Sequence, residues 1–334
     1  MYPLIMAPYF RHGSETPWGG AMLQELFGKE APDDVTGESL EVSALPGRES
    51  MVLNGPQAGR TLDSMIRRWG SDLTGVEGDF PLLIKLLDAK ELLSVQVHPD
   101  DAYAGANEGG KLGKTEAWVV LSCEEGAKLA YGVDTKGRDL KDMVENGAIE
   151  EALNWVRVRP GDVLYIPAGT VHALGGGIQC YEIQQSSDVT YRFWDWGRVG
   201  KDGQPRELHT QKALDVTRVG EIPPKCEGAT VLYKGGSITY YIADRNFELA
   251  RLNVSGKMPL ESGRMRAVTT LGLCKIAWDG GEIEPEPFST VLIPAKLEGV
   301  TIEGNLKALM SSPSDQEALR RELDYRAANV AGLV

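Results

Sequence analysis

Two short stretches of the chain carry imidazoles in positions that could serve chemistry. In LLSVQVHPDD, residues 92–101, apolar residues alternate with Ser94, Gln96 and His98. Successive side chains of a strand point to opposite faces, so one face is predicted to be apolar and the other to carry a hydroxyl, an amide and an imidazole. The chain has only four histidines. A polar face of this kind normally meets solvent, a solvated cavity or a bound ion.

A second imidazole and a carboxylate lie in two further stretches. PAGTVHALGGG places His172 after a tight turn, and GKTEAWVVL alternates Lys114, Glu116 and Trp118 on one face. Two imidazoles and a carboxylate form a donor set that suits Zn²⁺ or another first-row divalent ion. Three firm protein ligands, with Gln96 as a candidate fourth, would leave a coordination position open, as a catalytic metal requires.

Each of these residues also has an ordinary structural interpretation. A histidine at a strand end often makes only a structural hydrogen bond, and a strand glutamate is often solvated. Lys85 interrupts the apolar run LLIKLLD and fits a snorkelling lysine as well as a catalytic one. Arg192 lies among aromatic residues in VTYRFWDW and fits a cation–π contact or a salt bridge. His12 and His209 are interpreted as structural or surface residues, because they lie in polar, loop-like stretches.

The elements that must position these residues are mainly short strands separated by Gly/Pro turns, a pattern typical of a sandwich or barrel. Three helical segments interrupt them. TLDSMIRRWG predicts a short helix, with Thr61 as its N-cap and Gly70 as the residue that ends it. A helical insertion is predicted near residues 138–155. SDQEALRREL predicts a C-terminal helix, with Ser314 and Glu317 as a capping box.

A weak internal sequence repeat suggests two β-domains. RPGDVLYIPAGTVHAL, residues 159–174, resembles EPFSTVLIPAKLEGVTI, residues 286–302, but the second copy lacks the histidine. We therefore expect a metal-binding catalytic domain at 1–215, including the helical insertion, and a second β-domain at 216–334 that lacks metal ligands and ends in the C-terminal helix.

Composition limits the partners and the compartment. The net charge is −13 with no long basic run, which argues against nucleic acid and anionic membranes. An anionic substrate must therefore be held by a few specific lysines or arginines. Four widely separated cysteines argue against a disulfide framework. The absence of a signal-like N-terminus and of a long apolar segment predicts a cytoplasmic protein without membrane contact.

Four stretches together resemble the type I phosphomannose isomerases, in particular their shorter bacterial form. LLSVQVHPDD, GKTEAW, PAGTVHAL and SSDVTYRFWDWGR occur in the family's order and at fitting separations, and EVSALPGRESMVLNGPQAGRTL is also similar. The resemblance covers roughly Trp18–Arg198. The rest of the chain resembles the family only in its general residue pattern. The resemblance implies a mainly β, cupin-type fold, an antiparallel β-barrel or jelly roll with metal ligands that project inward.

The resemblance also implies roles for individual residues. The family's zinc ligands fall on His98, Glu116 and His172, and Gln96 falls on a ligand of the longer members. Its active-site arginine falls on Arg192. Its pocket residues fall on Lys85, Lys114 and Glu182. We assign catalytic roles to Arg192, Lys85 and Glu182, and substrate binding to Ser94, Gln96 and Lys114.

The activity that the resemblance implies is metal-dependent aldose–ketose isomerisation. Mannose 6-phosphate and fructose 6-phosphate would interconvert through an enediol, with one Zn²⁺ per chain or another divalent ion, in a monomer or homodimer. The removed proton is weakly acidic, so the reaction needs a base and electrostatic stabilisation of the enediolate. The alternatives are a cupin isomerase of another sugar phosphate, an iron-dependent oxygenase and a non-catalytic sugar-phosphate sensor.

Overall fold

The computed structural model describes residues 1–199, 203–325 and 333–334 of the chain. The mainly β fold that the strand-like runs predict is confirmed. The strands are β1 (Leu4–Ala7), β2 (Tyr9–His12), β3 (Thr36–Val42), β4 (Met51–Val52), β5 (Leu82–Ala89), β6 (Val95–Val97), β7 (Glu116–Cys123), β8 (Lys128–Val133), β9 (Leu153–Arg157), β10 (Val163–Ile166), β11 (His172–Ala173), β12 (Ile178–Gln185), β13 (Tyr191–Trp194), β14 (Ala229–Tyr233), β15 (Gly236–Ala243), β16 (Phe247–Pro259), β17 (Arg266–Thr270), β18 (Cys274–Trp278), β19 (Gly281–Ile283), β20 (Thr290–Ile293) and β21 (Thr301–Pro313).

The helices are short and connect or flank the strands. They are α1 (Met22–Glu25), α2 (Leu62–Trp69), α3 (Ser71–Thr74), α4 (Asp101–Asn107), α5 (Leu140–Glu145), α6 (Thr210–Val216) and α7 (Gln316–Tyr325). The predicted ends of α2 are confirmed: the Thr61 hydroxyl accepts a hydrogen bond from the Ser64 amide, and Gly70 ends the helix at φ 51°. No helix in the described ranges is long and apolar enough to cross a membrane.

One prediction about the helices is confirmed in part, and another is wrong. The insertion expected near 138–155 is helical only in α5 and in a 3-10 turn at Ile149–Ala152. Gly147 adopts φ 69°, which ends α5, and the residues from Leu153 onward pair with β8 as strand β9. At the C-terminal helix, Asp315 caps the backbone instead of Ser314. Its carboxylate accepts from the Ala318 amide at 3.0 Å, while the Ser314 hydroxyl donates to a backbone carbonyl elsewhere.

The chain divides into two compact units. One combines Met1–Tyr9, Leu40–Ile84 and Cys226–Val334, and the other combines Phe10–Ser39 and Lys85–Lys225. Each unit therefore draws on stretches that are distant in sequence. The domain boundary that we placed between residues 215 and 216 stays a prediction.

The first unit is built on one large sheet. Its strands run in the order β14-β15-β16-β21-β17-β20-β1-β4, and β18 pairs with β21 and β19. The long strands β16 and β21 pair antiparallel along their whole length. Alternating apolar residues of these strands form a core, against which Leu319 and Leu323 of α7 pack. Burial of this apolar surface is the main favourable contribution to folding of the unit.

Two further sheets lie mostly in the second unit, with strand orders β10-β7-β12-β5-β3-β2 and β13-β6-β11-β8-β9. Side chains from both sheets share one core: Trp118 of β7 and Cys180 of β12 pack together with Leu129 and Tyr131 of β8. The two sheets therefore face each other, as in a jelly roll. Inward-facing positions of β6, β7, β11 and β12 meet between them.

Candidate metal centre

Three residues that are far apart in sequence meet in the second unit. His98 follows β6, Glu116 begins β7 and His172 begins β11, and all three are buried. One donor atom from each lies within 4.8 Å of the others. In the ranges that the structure describes, this is the one group of three or more His, Cys, Asp or Glu residues close enough to share an ion.

The turn between β10 and β11 aligns the two histidines. His172 pairs with Gln96 across β11 and β6, and the Gly169 amide donates a 2.8 Å hydrogen bond to the His98 carbonyl. Gly169 adopts φ 90°, and a Cβ there would lie 2.8 Å from the Val216 carbonyl oxygen. The glycine is therefore required both by its conformation and by the close approach of the backbone.

Hydrogen bonds set the orientation of both imidazoles. Nδ1 of His98 lies 3.0 Å from the Val189 carbonyl, and Nδ1 of His172 lies 2.9 Å from the Thr170 carbonyl. A carbonyl only accepts, so each Nδ1 carries a proton, and the lone pair of each ring in its neutral form lies on Nε2. This arrangement is the one that a metal-binding histidine uses.

The lone pairs converge on the carboxylate of Glu116. Nε2 of His172 lies 3.1 Å from one Glu116 oxygen, and Nε2 of His98 lies 3.5 Å from the other. Within the described residues, neither Glu116 oxygen nor His172 Nε2 has a hydrogen-bond partner of acceptable geometry. Burial, with the charge of Lys114, lowers the pKa of His98 well below its ordinary value, so this ring is neutral. Acceptors that face each other at these distances repel unless a cation lies near them. The Lys114 ammonium lies 2.9 Å from Glu116 Oε2 and 3.2 Å from His98 Nε2, but in the described residues it is not paired with Glu116 Oε1 or His172 Nε2. The donor set therefore fits a divalent metal.

Lys114 is held beside this group by its own backbone. The Lys114 amide donates a 2.9 Å hydrogen bond to the Pro99 carbonyl, and Gly113 lies so close to Asp100 that a Cβ would be 2.4 Å from its carbonyl carbon. The Lys114 ammonium is 2.9 Å from a Glu116 oxygen. Burial acts to raise the pKa of Glu116, but the positive charge of Lys114 holds it well below its ordinary value. Glu116 is therefore an anion.

Lys85 and Glu182 form a buried ion pair on neighbouring strands β5 and β12. The ammonium lies 2.9 Å from Oε1 of Glu182, and the Trp118 indole donates a 2.9 Å hydrogen bond to Oε2. Only 7% of Lys85 is exposed, so Lys85 is not a snorkelling lysine, whose ammonium would lie in solvent. Burial acts to lower the pKa of Lys85, but Glu182 and Glu38 raise it above its ordinary value. Lys85 is therefore a cation.

The remaining predicted residues lie on or beside β6. Ser94 is buried and directly precedes the strand, and Gln96 is half-buried. Arg192 of β13 pairs in register with Gln96, and directly opposed residues of an antiparallel pair point to the same face. One guanidinium nitrogen of Arg192 donates to the Glu207 carbonyl at 2.9 Å, and its Nε is buried without a hydrogen-bond partner in the described structure.

The histidines that were not assigned to the site lie outside the group. His12 is exposed and pairs with Asp33 through a 2.6 Å contact. His209 accepts a 3.4 Å hydrogen bond from the Arg192 backbone amide through Nδ1. Both take part in ordinary structural contacts.

The sequence interpretation missed two polar residues near the candidate site. Glu38 of β3 is buried and lies 3.6 Å from the Lys85 ammonium. Gln184 pairs in register with Glu116, and its side-chain carbonyl oxygen is buried without a partner in the described structure. The available signal was weak: Glu38 lies between Gly37 and Ser39, Gln184 lies beside Gln185, and neither forms a distinctive motif.

Comparisons with known proteins agree with this geometry. The sequence model for the catalytic domain of type I phosphomannose isomerase matches residues 11–117. A mannose-6-phosphate isomerase of Bacillus subtilis is 37% identical over 317 residues, which span 92% of this chain and 98% of that protein. The chain belongs to the type I phosphomannose isomerase family. A mannose-6-phosphate isomerase of Streptococcus mutans is 39% identical over 249 residues, 73% of this chain and 77% of that one.

A crystal structure confirms the fold expected of a type I phosphomannose isomerase. The structure of mannose 6-phosphate isomerase from Bacillus subtilis matches with a TM-score of 0.87 at 35% identity, and covers 93% of this chain and 99% of that one. The similarity therefore extends over both compact units. The antiparallel, cupin-type architecture that the four motifs implied is confirmed.

Proposed function

We propose that this protein is a metal-dependent isomerase that interconverts mannose 6-phosphate and fructose 6-phosphate. The observation that carries the proposal is the buried group of two imidazoles and one carboxylate, in a chain that belongs to the type I phosphomannose isomerase family. Family membership makes isomerase activity the expected chemistry, and the donor group provides the means for it.

His98, Glu116 and His172 would hold one metal ion, and we propose that it is Zn²⁺. The nitrogen and carboxylate donors suit zinc, and no redox step is needed. When bound, the ion would supply Lewis-acid polarisation of the substrate carbonyl and stabilise negative charge in the transition state. The half-buried amide of Gln96, opposite His172 on β6, is a candidate fourth ligand or a substrate contact.

Glu182 is the stronger candidate for the proton-transfer base. Isomerisation removes the proton at C2 of the aldose and returns a proton to C1, so the base must begin in its unprotonated form. Lys85, with its raised pKa, retains its proton and cannot accept another. We assign Glu182 to carbon proton transfer, and we assign Lys85 to donating a hydrogen bond to the substrate oxygens that become negative.

Arg192, Lys114 and Ser94 are proposed to hold the phosphate and the sugar oxygens. A protein of net charge −13 repels a phosphate dianion at long range, so binding depends on local cations. The planar guanidinium of Arg192 is suited to paired phosphate oxygens, and its unpartnered Nε provides a free donor.

The cellular setting is also a proposal. All four cysteines are free thiols, which is consistent with a reducing, cytoplasmic location. The acidic charge is consistent with a protein that does not bind nucleic acid. A monomer or a homodimer stays a prediction.

A coupled isomerase assay on mannose 6-phosphate tests the proposal. Activity should disappear after chelation and return when Zn²⁺ is added back, with about one ion bound per chain. No turnover by the metal-loaded protein, with mannose 6-phosphate still binding, would favour a sugar-phosphate sensor or an isomerase of another sugar phosphate. Oxygen consumption with Fe²⁺ would instead favour an oxygenase.

A further inference from the structure

Lys85 lies between two carboxylates, and only one of them has been assigned a role above. Its ammonium is 2.9 Å from Glu182 Oε1 and 3.6 Å from Glu38 Oε2. In the sheet, β5 runs between β12, which carries Glu182, and β3, which carries Glu38. The lysine is therefore flanked by one carboxylate from each neighbouring strand.

A second cation holds Glu38 in place. Arg11 on β2 donates a 3.2 Å hydrogen bond to the same Glu38 oxygen that faces Lys85. The four side chains thus form a row of ion pairs, in the order Arg11, Glu38, Lys85 and Glu182. Their exposed fraction falls along the row, from 28% for Arg11 to 10% for Glu38, 9% for Lys85 and 5% for Glu182. The row thus runs from the surface inward with alternating charges that sum to zero.

We propose that Glu38, itself held by Arg11, is a positioning residue that keeps Lys85 protonated and directs its ammonium toward Glu182 and the substrate. The inference rests on the proposed isomerase function. Glu182 presents only Oε1 to the ammonium, since its Oε2 accepts from Trp118, and Glu38 is the second carboxylate beside Lys85. A buried ammonium that loses one of two anionic neighbours faces a large desolvation penalty and tends to become a neutral amine.

The titration behaviour of the row is consistent with this role. Burial acts to raise the pKa of Glu38, but Lys85, Arg11 and Lys114 lower it to about 2. Glu38 is therefore ionised throughout the neutral range. The titratable and charged groups that face Lys85 are Glu182 on β12, Glu38 on β3 and Arg11 on β2, and the Cys180 thiol of β12 also interacts with its charge.

Glu38→Gln tests the proposal, because it removes the charge and keeps the shape. Glu41→Gln is a matched control: Glu41 is on the same strand, is also buried, and accepts a hydrogen bond from Thr290. Glu38→Asp keeps the charge. We expect Glu38→Gln to lower kcat about ten-fold or more and to shift the alkaline limb of the kcat/KM profile to lower pH by about one to three pH units. Glu38→Asp should keep the limb near its wild-type position.

A second measurement does not depend on activity. In protein labelled with ¹⁵N at the lysine side chains, the Lys85 signal can be assigned by its loss in Lys85→Arg and then followed by NMR as pH rises. We expect Lys85 to lose its proton at lower pH in Glu38→Gln than in wild type or Glu41→Gln. An unchanged Lys85 titration in a folded Glu38→Gln would overturn the proposal. Absence of wild-type turnover would instead refute the isomerase function and leave this titration to decide the role of Glu38.

Discussion

The indole Nε1–H of Trp118 donates a 2.9 Å hydrogen bond to Oε2 of Glu182. The same ring lies edge-on to His172, with ring centroids 5.4 Å apart and an interplanar angle of 83°. Trp118 therefore packs against a candidate metal ligand and binds the candidate base. The contact with Glu182 depends on register, because Trp118 and Glu182 are paired directly across β7 and β12.

Trp118→Phe should separate these two contacts. A smaller aromatic ring replaces the indole and the buried Glu182 oxygen loses its donor, so the loss of this hydrogen bond should lower the free energy of unfolding by about 1–3 kcal/mol. The kcat should fall while bound metal stays near the wild-type amount. Denaturant unfolding, elemental analysis and the isomerase assay measure the three quantities. Trp194→Phe is the control, since the Trp194 indole nitrogen has no hydrogen-bond partner in the described structure; equal effects of both changes would contradict the role of this bond.

Glu116→Gln and His172→Ala should abolish metal binding. Each change removes a donor from a three-residue group, and the remaining two donors hold a divalent ion weakly. Metal content after dialysis, measured by elemental analysis, should fall from about one ion per chain to a small fraction of that. His12→Ala, which changes an exposed histidine, should keep the wild-type content. Full occupancy in either site variant would show that the ion binds elsewhere.

Arg192→Ala should lower activity without loss of metal. The arginine is absent from the donor group, so metal content should not change. The kcat/KM should fall about 10²-fold or more, as expected for loss of a charged donor to the substrate. Arg67→Ala removes an exposed arginine from α2 and serves as the control. An unchanged rate in Arg192→Ala would remove this residue from the proposed mechanism.

Acid stability should depend on Glu38. Its pKa is about 2 in the folded protein, against an ordinary value of 4.5. A carboxylate with a lowered pKa stabilises the fold above about pH 4.5, and this contribution is lost as pH falls toward 2. The stability difference between wild type and Glu38→Gln should therefore narrow by about 3 kcal/mol over this range.

Urea unfolding of the chelated protein at several pH values measures this difference. Chelation is needed because protonation of metal ligands would add its own pH dependence. A difference that stays constant from pH 5 toward pH 2 would show that the Glu38 carboxylate is not stabilised by its cationic neighbours. Glu41→Gln shows how much of any change comes from altering a buried glutamate on this strand.

Local residue patterns were sufficient for several features. The alternation in LLSVQVHPDD predicted a strand whose polar side carries His98, and Thr61 and Gly70 marked the ends of α2 correctly. These features depend on interactions within a few residues, which the sequence displays directly. Local patterns failed where a distant partner competed: Leu153 joins β9 because β8 offers hydrogen bonds, and Ser314 donates to a distant carbonyl, so Asp315 caps α7.

The sequence by itself determined which residue types were available for the candidate site, and its four ordered motifs indicated the family. Only the tertiary structure decided how these residues face one another. The donor atoms of His98, Glu116 and His172 converge because two sheets pack face to face and the Gly169 turn is bonded to His98. The place of Glu38 between Arg11 and Lys85 depends likewise on the order of strands in a sheet. Strand order and sheet packing arise from contacts between distant parts of the chain, and no local pattern of residues encodes them.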